Sequence, residues 1–235
     1  MVYLDSQISK PPSAGLQTAV TAGAPARKRL SVAARERQIL EAAIRFFAKR
    51  GFNGQLRDLA KEIGVTHALL YHYFPTKKAL IERVYAEVFE GRWKEEWEEI
   101  LDDDSRSPLE KLSAFYCDYA QVVLTYDFVR ILVYSGLDDQ IITDRFFALL
   151  RKRLLPRLIR ETRRHCGMAT EGRASARELE LLMGLHGGIF YTGIRRWIYG
   201  QAIHHKTAAA QDDDMVRDRV RAYLMSAKEI LYSKE

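Results

Sequence analysis

Residues 57 to 77 carry side chains suited to reading a duplex nucleic acid, not to breaking bonds. Arg57 can grip a guanine edge through two hydrogen bonds, and His67 can bond to a purine. Ala68 and Leu69 can meet only apolar features such as a thymine methyl. Thr66 opens the same turn toward the base edges. Tyr71, His72, Tyr73 and Lys77 carry donors for phosphates or the groove floor, Tyr73 being equally suited to pack between the third and fourth helices. The spacing gives these residues a frame. Ala60 is followed by Gly64 and then Leu70, placing a small residue where two helices cross, a turn former between them, and an apolar anchor on the second helix. That is the pattern of a helix-turn-helix, whose second helix enters the major groove.

The elements that must hold this turn can be read from periodicity. Ile39, Ala42, Ala43, Phe46 and Phe47 recur on one helical face, while Arg35, Arg37, Glu41, Arg45 and Lys49 fill the other. Gly51 should end that helix as a left-handed cap, with Phe52 folding back against it. Leu56, Leu59, Ala60 and Ile63 mark a second, shorter helix, and Gly64 is free to take the positive φ of a tight turn. Thr66 is an N-cap for a third helix and Thr76 for a fourth, whose apolar positions run from Leu80 to Phe89.

The segment LRDLAKEIGVTHALLYHYFPTKKAL, residues 56–80, resembles the signature of the TetR family of transcriptional regulators. The family pattern has an arginine opening the second helix, a V-[ST] pair opening the recognition helix, and a Y-x-x-F running into a lysine. The resemblance implies an all-α homodimer that binds double-stranded DNA. It divides the chain into a tail (1–31), a helix-turn-helix domain (32–79) and a larger helical effector-binding and dimerisation domain (80–235). It also implies that Arg57, Tyr71, His72, Tyr73 and Lys77 occupy DNA-contacting positions. Two positions depart from the family: Gln55-Leu56 stand where hydroxyl residues usually touch phosphate, and Leu69 where a threonine or smaller residue is common.

Charge supports the reading independently. Residues 1–80 hold 13 basic and 5 acidic side chains, whereas residues 81–235 hold 24 and 26, so the whole +6 excess sits on the first third. An excess confined to a helix-turn-helix favours a polyanionic partner. Arg27-Lys28-Arg29 close a Pro- and Gly-containing tail that reads as disordered, and they form either a basic arm reaching DNA or a solvated charge cluster. No run of about 18 apolar residues or N-terminal signal pattern is present, so no membrane span is expected and the cytoplasm is. Cys117 and Cys166 read as buried thiols.

Beyond the fourth helix, Ser107-Pro108-Leu109-Glu110 is a capping box with proline at the first helical position. Helices are expected near 128–136, 140–165, 175–200 and 213–232, with Pro156 kinking or dividing the second of these. The last two carry broad apolar faces (Leu179 to Ile198, Val216 to Leu231) that would form a four-helix bundle with a second copy. Their glycines, Gly184, Gly187, Gly188 and Gly193, each cost about 1 kcal/mol in a helix, so close helix approach or ligand space should compensate. Phe115, Tyr116, Tyr119, Tyr126, Arg130, Tyr134, His186 and Tyr191 are candidates for a small-molecule effector pocket, with Arg130 and His186 setting specificity, or for ordinary core.

No phosphate-loop, HExxH, GxSxG or spaced Cys/His pattern occurs, so neither an enzyme nor a cofactor is expected. His204-His205 and Asp102-Asp103-Asp104 read as exposed loop residues, and the basic run Arg145–Arg164 as the wet face of a helix. The competing reading is a ligand-independent architectural DNA-binding protein, in which the larger domain only dimerises.

Overall fold

The computed structural model describes residues 31–138, 140–201 and 209–232, without the side chains of 209–212. The basic arm and His204-His205 lie outside the described residues. All regular elements among them are helices: α1 (Val32–Arg50), α2 (Leu56–Ile63), α3 (His67–Tyr73), α4 (Lys77–Tyr85), α5 (Glu96–Asp102), α6 (Pro108–Val123), α7 (Tyr126–Gly136), α8 (Ile141–Arg153), α9 (Leu155–Cys166), α10 (Ala176–Trp197) and α11 (Ala209–Tyr232). A single π-helical stretch, Ala86–Glu90, continues α4.

The local signals explain most of these limits. Ser107 and Glu110 form the expected capping box, and Ser175 and Glu178 form a second one at the start of α10. Pro156 divides 140–165: α8 stops at Arg153 and α9 begins at Leu155 with the proline in its first turn, where its missing N–H costs nothing. The fourth helix departs from expectation, because its α-helical ladder ends at Tyr85 and Val88 and Phe89 follow on the π stretch. Helix α5 is absent from the sequence expectation; Trp97 is buried there, and its indole N–H donates to Asp118 of α6 at 2.6 Å. Gly51 has the anticipated positive φ (72°), but its ψ of −173° makes it an extended exit and not a left-handed cap.

One apolar cluster runs continuously from Ile39 in α1 to Leu224 in α11, so the small N-terminal bundle and the larger body share a core. Two charged ties brace the body. Lys111 and Glu161, both buried, pair at 3.2 Å between α6 and α9. Arg163 of α9 grips Glu178 with two bonds of 2.6 and 2.8 Å, holding that carboxyl well below the usual carboxylate range and fixing the start of α10.

The inward faces of α10 and α11 are consumed within the chain. Leu182, Val216, Val220, Leu224 and Ala227 are buried in its own core, so these residues of the expected bundle faces are not available to a second copy. Gly193 is explained here too, since a Cβ would come within 2.9 Å of Val129 and 3.1 Å of Leu124. Left outside are Gly184, Gly187 and Tyr191 on α10 and Met225 and Ile230 on α11.

His186 sits in this core, and burial lowers its imidazole to about 4. The unfolded chain, with the ordinary value near 6.5, binds the proton first as pH falls, so stability is lost on acidification through that window. Urea unfolding should show stability falling from pH 6.5 to 5 by up to about 1.4 kcal/mol per unit, and His186→Gln should flatten the slope. An equal slope in the variant would contradict this placement.

Candidate nucleic-acid interface

The interface is built from the turn outward. Gly64 ends α2 in the left-handed region (φ 73°, ψ 33°), its N–H bonds to Lys61 O at 3.2 Å, and the Val65 N–H reaches back to Ala60 O at 3.0 Å. These paired bonds satisfy carbonyls that the helix end would otherwise leave open. Thr66 then starts α3, its Oγ1 accepting from the Leu69 N–H at 3.1 Å. Leu70 is fully buried and Phe74 nearly so, anchoring α3 in the core beside α2.

That anchoring decides what α3 shows. His67, Ala68, Tyr71 and His72 are exposed, Leu69 and Tyr73 are half-buried, and the His67 and Tyr71 rings meet edge to face at 4.6 Å. Arg57 is exposed on the first turn of α2 and has no ion-pair partner among the described residues. Gln55 is exposed and makes no side-chain cap, while Leu56 beside it is buried.

Lys77 is placed differently from the others. Its Nζ donates to the Phe52 carbonyl, tying the first turn of α4 to the α1–α2 loop, and the side chain is half-buried. Its neighbour Lys78 is exposed on the same turn. Sequence reasoning did not single out Lys78; the run of two lysines after a capped threonine was the available signal. Thr76 Oγ1 accepts from Ala79 N–H at 3.0 Å, capping the start of α4.

The candidate effector residues fall into separate groups. Phe115, Tyr116, Tyr119 and His186 are buried together, with Tyr119 Oη 3.3 Å from His186 Nε2. Tyr116 Oη and His186 Nδ1 have no hydrogen-bond partner among the described residues. Tyr126, Arg130 and Tyr134 lie at the seam between body and head: Arg130 donates to the Ala48 and Lys49 carbonyls of α1, to Trp197 O of α10 at 3.0 Å and to Tyr134 Oη at 2.6 Å. Its guanidinium also lies 5.2 Å from the centres of both the Tyr126 and Tyr134 rings. Tyr191 stands on the outside of α10.

Residues 39–84 match the family model for bacterial regulatory proteins of the tetR family. That segment is a TetR-type domain. It is 32% identical over 107 residues to the HTH-type transcriptional repressor KstR2 of Mycolicibacterium smegmatis, covering 40% of this chain and 50% of that repressor. The chain therefore spans about half the length of that relative. The whole TetR-like fold is seen in a TetR-like transcriptional regulator from Rhodococcus sp. RHA1, with a TM-score of 0.61 and 19% identity over 84% of this chain and 99% of that one. The ketosteroid transcriptional regulator KstR2 of Mycobacterium tuberculosis superposes with a TM-score of 0.55 and 17% identity, over 83% and 96%.

Because Thr66 supplies the only side-chain cap of this short TetR-family helix, Thr66→Ala should destabilise the protein by about 1 kcal/mol, read as a lowered Tm. Gly64→Ala, which forces a Cβ into a positive φ with open space around it, should cost about as much through backbone strain alone. Unchanged melting of both variants would contradict the turn geometry.

Proposed function

We propose that this chain is a homodimeric TetR-family repressor that occupies a palindromic operator and is released by a small-molecule effector. The observation that carries the reading is the exposed His67–Ala68–Tyr71–His72 face, held above a rigid turn on a domain with a basic excess. His67, Ala68 and Leu69 are assigned to base edges, Arg57 to a guanine, and Tyr71, His72 and Tyr73 to phosphates or the groove floor. Thr66 caps the helix and brings its first turn to the duplex. Lys77 positions α4 through Phe52 and adds positive potential, while Lys78 is better placed to reach phosphate.

A dimer supplies what one short helix lacks, since two recognition helices must address half-sites about one duplex turn apart. The outer face of α10 and α11 is the surface assigned to the partner. Its exposed Gly184 and Gly187 permit close backbone approach, and Tyr191, Met225 and Ile230 offer apolar contact.

Release follows from linkage: an effector that prefers a dimer with misplaced recognition helices lowers DNA affinity, and DNA lowers effector affinity equally. The two buried unpartnered atoms Tyr116 Oη and His186 Nδ1 support an effector-sensitive core. Arg130 is assigned to transmission and not to ligand, because it joins the ends of α1 and α10.

Selection of DNA fragments from a random pool by the purified protein tests the reading; recovery of a two-fold symmetric site supports it, and absence of any enriched sequence rejects it. On that site, Arg57→Ala should cost about 1–3 kcal/mol of affinity and relax preference at one position. Tyr71→Ala should weaken all sequences alike, with the Tm of both variants unchanged. Arg130→Met, which touches no DNA-facing residue, should still lower operator affinity about tenfold, within the 0.5–2 kcal/mol expected of a coupling residue. Wild-type affinity in that variant would remove Arg130 from the mechanism.

A further inference from the structure

One concavity shares no lining residue with the Tyr119–His186 core. It is a groove of about 870 Å³ between α8, α9, the 170–174 loop and the first turns of α10. One wall is apolar: Phe147, Leu179 and Met183 are only partly covered by the core, and Leu155 and Pro156 complete the lining. Five arginines, 151, 157, 160, 163 and 173, also line it, against a single acidic residue, Glu171.

The arginines are not equivalent. Arg157 pairs with Glu98 and Asp102, Arg160 with Asp102 and Glu161, and Arg163 with Glu178. Those three build the floor, and Arg163 also holds the loop by donating to the carbonyls of Glu171, Gly172 and Arg173. Arg151 and Arg173 have no carboxylate within 4 Å among the described residues, and both are exposed. Two uncompensated guanidiniums at the rim of a concave, half-apolar surface focus positive potential where an anion can approach. The size falls within the 300–1,000 Å³ range of small-molecule sites.

We propose that this groove binds an amphiphilic anion, with an alkyl or similarly apolar body lying along Phe147, Leu179 and Met183 and a phosphate or carboxylate head held by Arg151 and Arg173. A neutral apolar ligand would leave the two guanidiniums unanswered, and a small anion would leave the apolar wall wet. Arginine also suits either head group, because its planar fork engages both bidentately. The proposal deepens the effector reading above and takes its regulatory meaning from it, while the binding itself does not require that reading.

Titration calorimetry with octyl, decyl and dodecyl phosphate, each below its micelle concentration, tests the site on the full chain. Affinity should rise about fifteenfold for each two methylenes added, since one buried methylene contributes about fourfold. Dodecanol should bind at least tenfold more weakly than dodecyl phosphate. The double variant Arg151→Glu, Arg173→Glu should lose at least tenfold for the phosphate and little for dodecanol, and Arg106→Glu, on an exposed loop outside the groove, should change neither. Dodecanoate, a free carboxylate amphiphile, should compete.

No dependence on chain length, equal loss in Arg106→Glu, or binding only to phosphatidylglycerol vesicles would overturn the proposal. So would a cross-link showing the groove covered by a second copy. A gel shift run in parallel separates the two readings: phosphate binding without release of DNA leaves the site standing and removes its role as effector.

Discussion

A helix of seven residues does not hold its shape in water unaided, because helix nucleation is costly and each turn adds little. Helix α3 exists because Leu70 and Phe74 are buried at its base, Thr66 satisfies an amide at its start, and Gly64 turns the chain with both following donors paired. The same burial chooses which residues face outward. With Leu70 inside, helical geometry puts His67, Ala68, Tyr71 and His72 together on the opposite side. Presentation of the reading face and stability of the head are therefore one property.

The head is in turn seated on the body through the far end of α1. Arg130 binds the last carbonyls of α1 and the final turn of α10 at once, with Tyr134 beneath Gly51 at 3.2 Å from where a Cβ would stand. Those α1 carbonyls belong to the group every helix leaves open at its C-terminus, and a cation is the natural partner for them. One side chain thus ties the end of α10 to the end of α1 through backbone carbonyls. The continuous core from Ile39 to Leu224 gives the same connection in apolar contact.

Local chemistry was the legible part of the sequence. Threonine caps at 66 and 76, the capping box at 107–110, Gly64 and Pro156 each act within a few residues of where they stand, and the structure uses each as its type suggests. What the sequence did not reveal depends on partners distant in the chain. Helix α5 is short and acidic, and it acquires its place from the burial of Trp97 and Leu101 and from the bond to Asp118. Arg130 and Lys77, expected at ligand and at DNA, also donate to backbone carbonyls more than 20 positions away, which no local pattern reveals. Periodicity identified the apolar faces of α10 and α11 but could not tell whether the chain's own core or a second copy covers them.

The central claim is that two copies of α3 enter successive turns of one duplex face. Hydroxyl-radical footprinting on a pool-selected fragment addresses it at nucleotide resolution. The account predicts two protected patches related by a dyad and centred about 10–10.5 base pairs, or a multiple of that, apart. A single asymmetric patch, or even protection along the fragment, would contradict it.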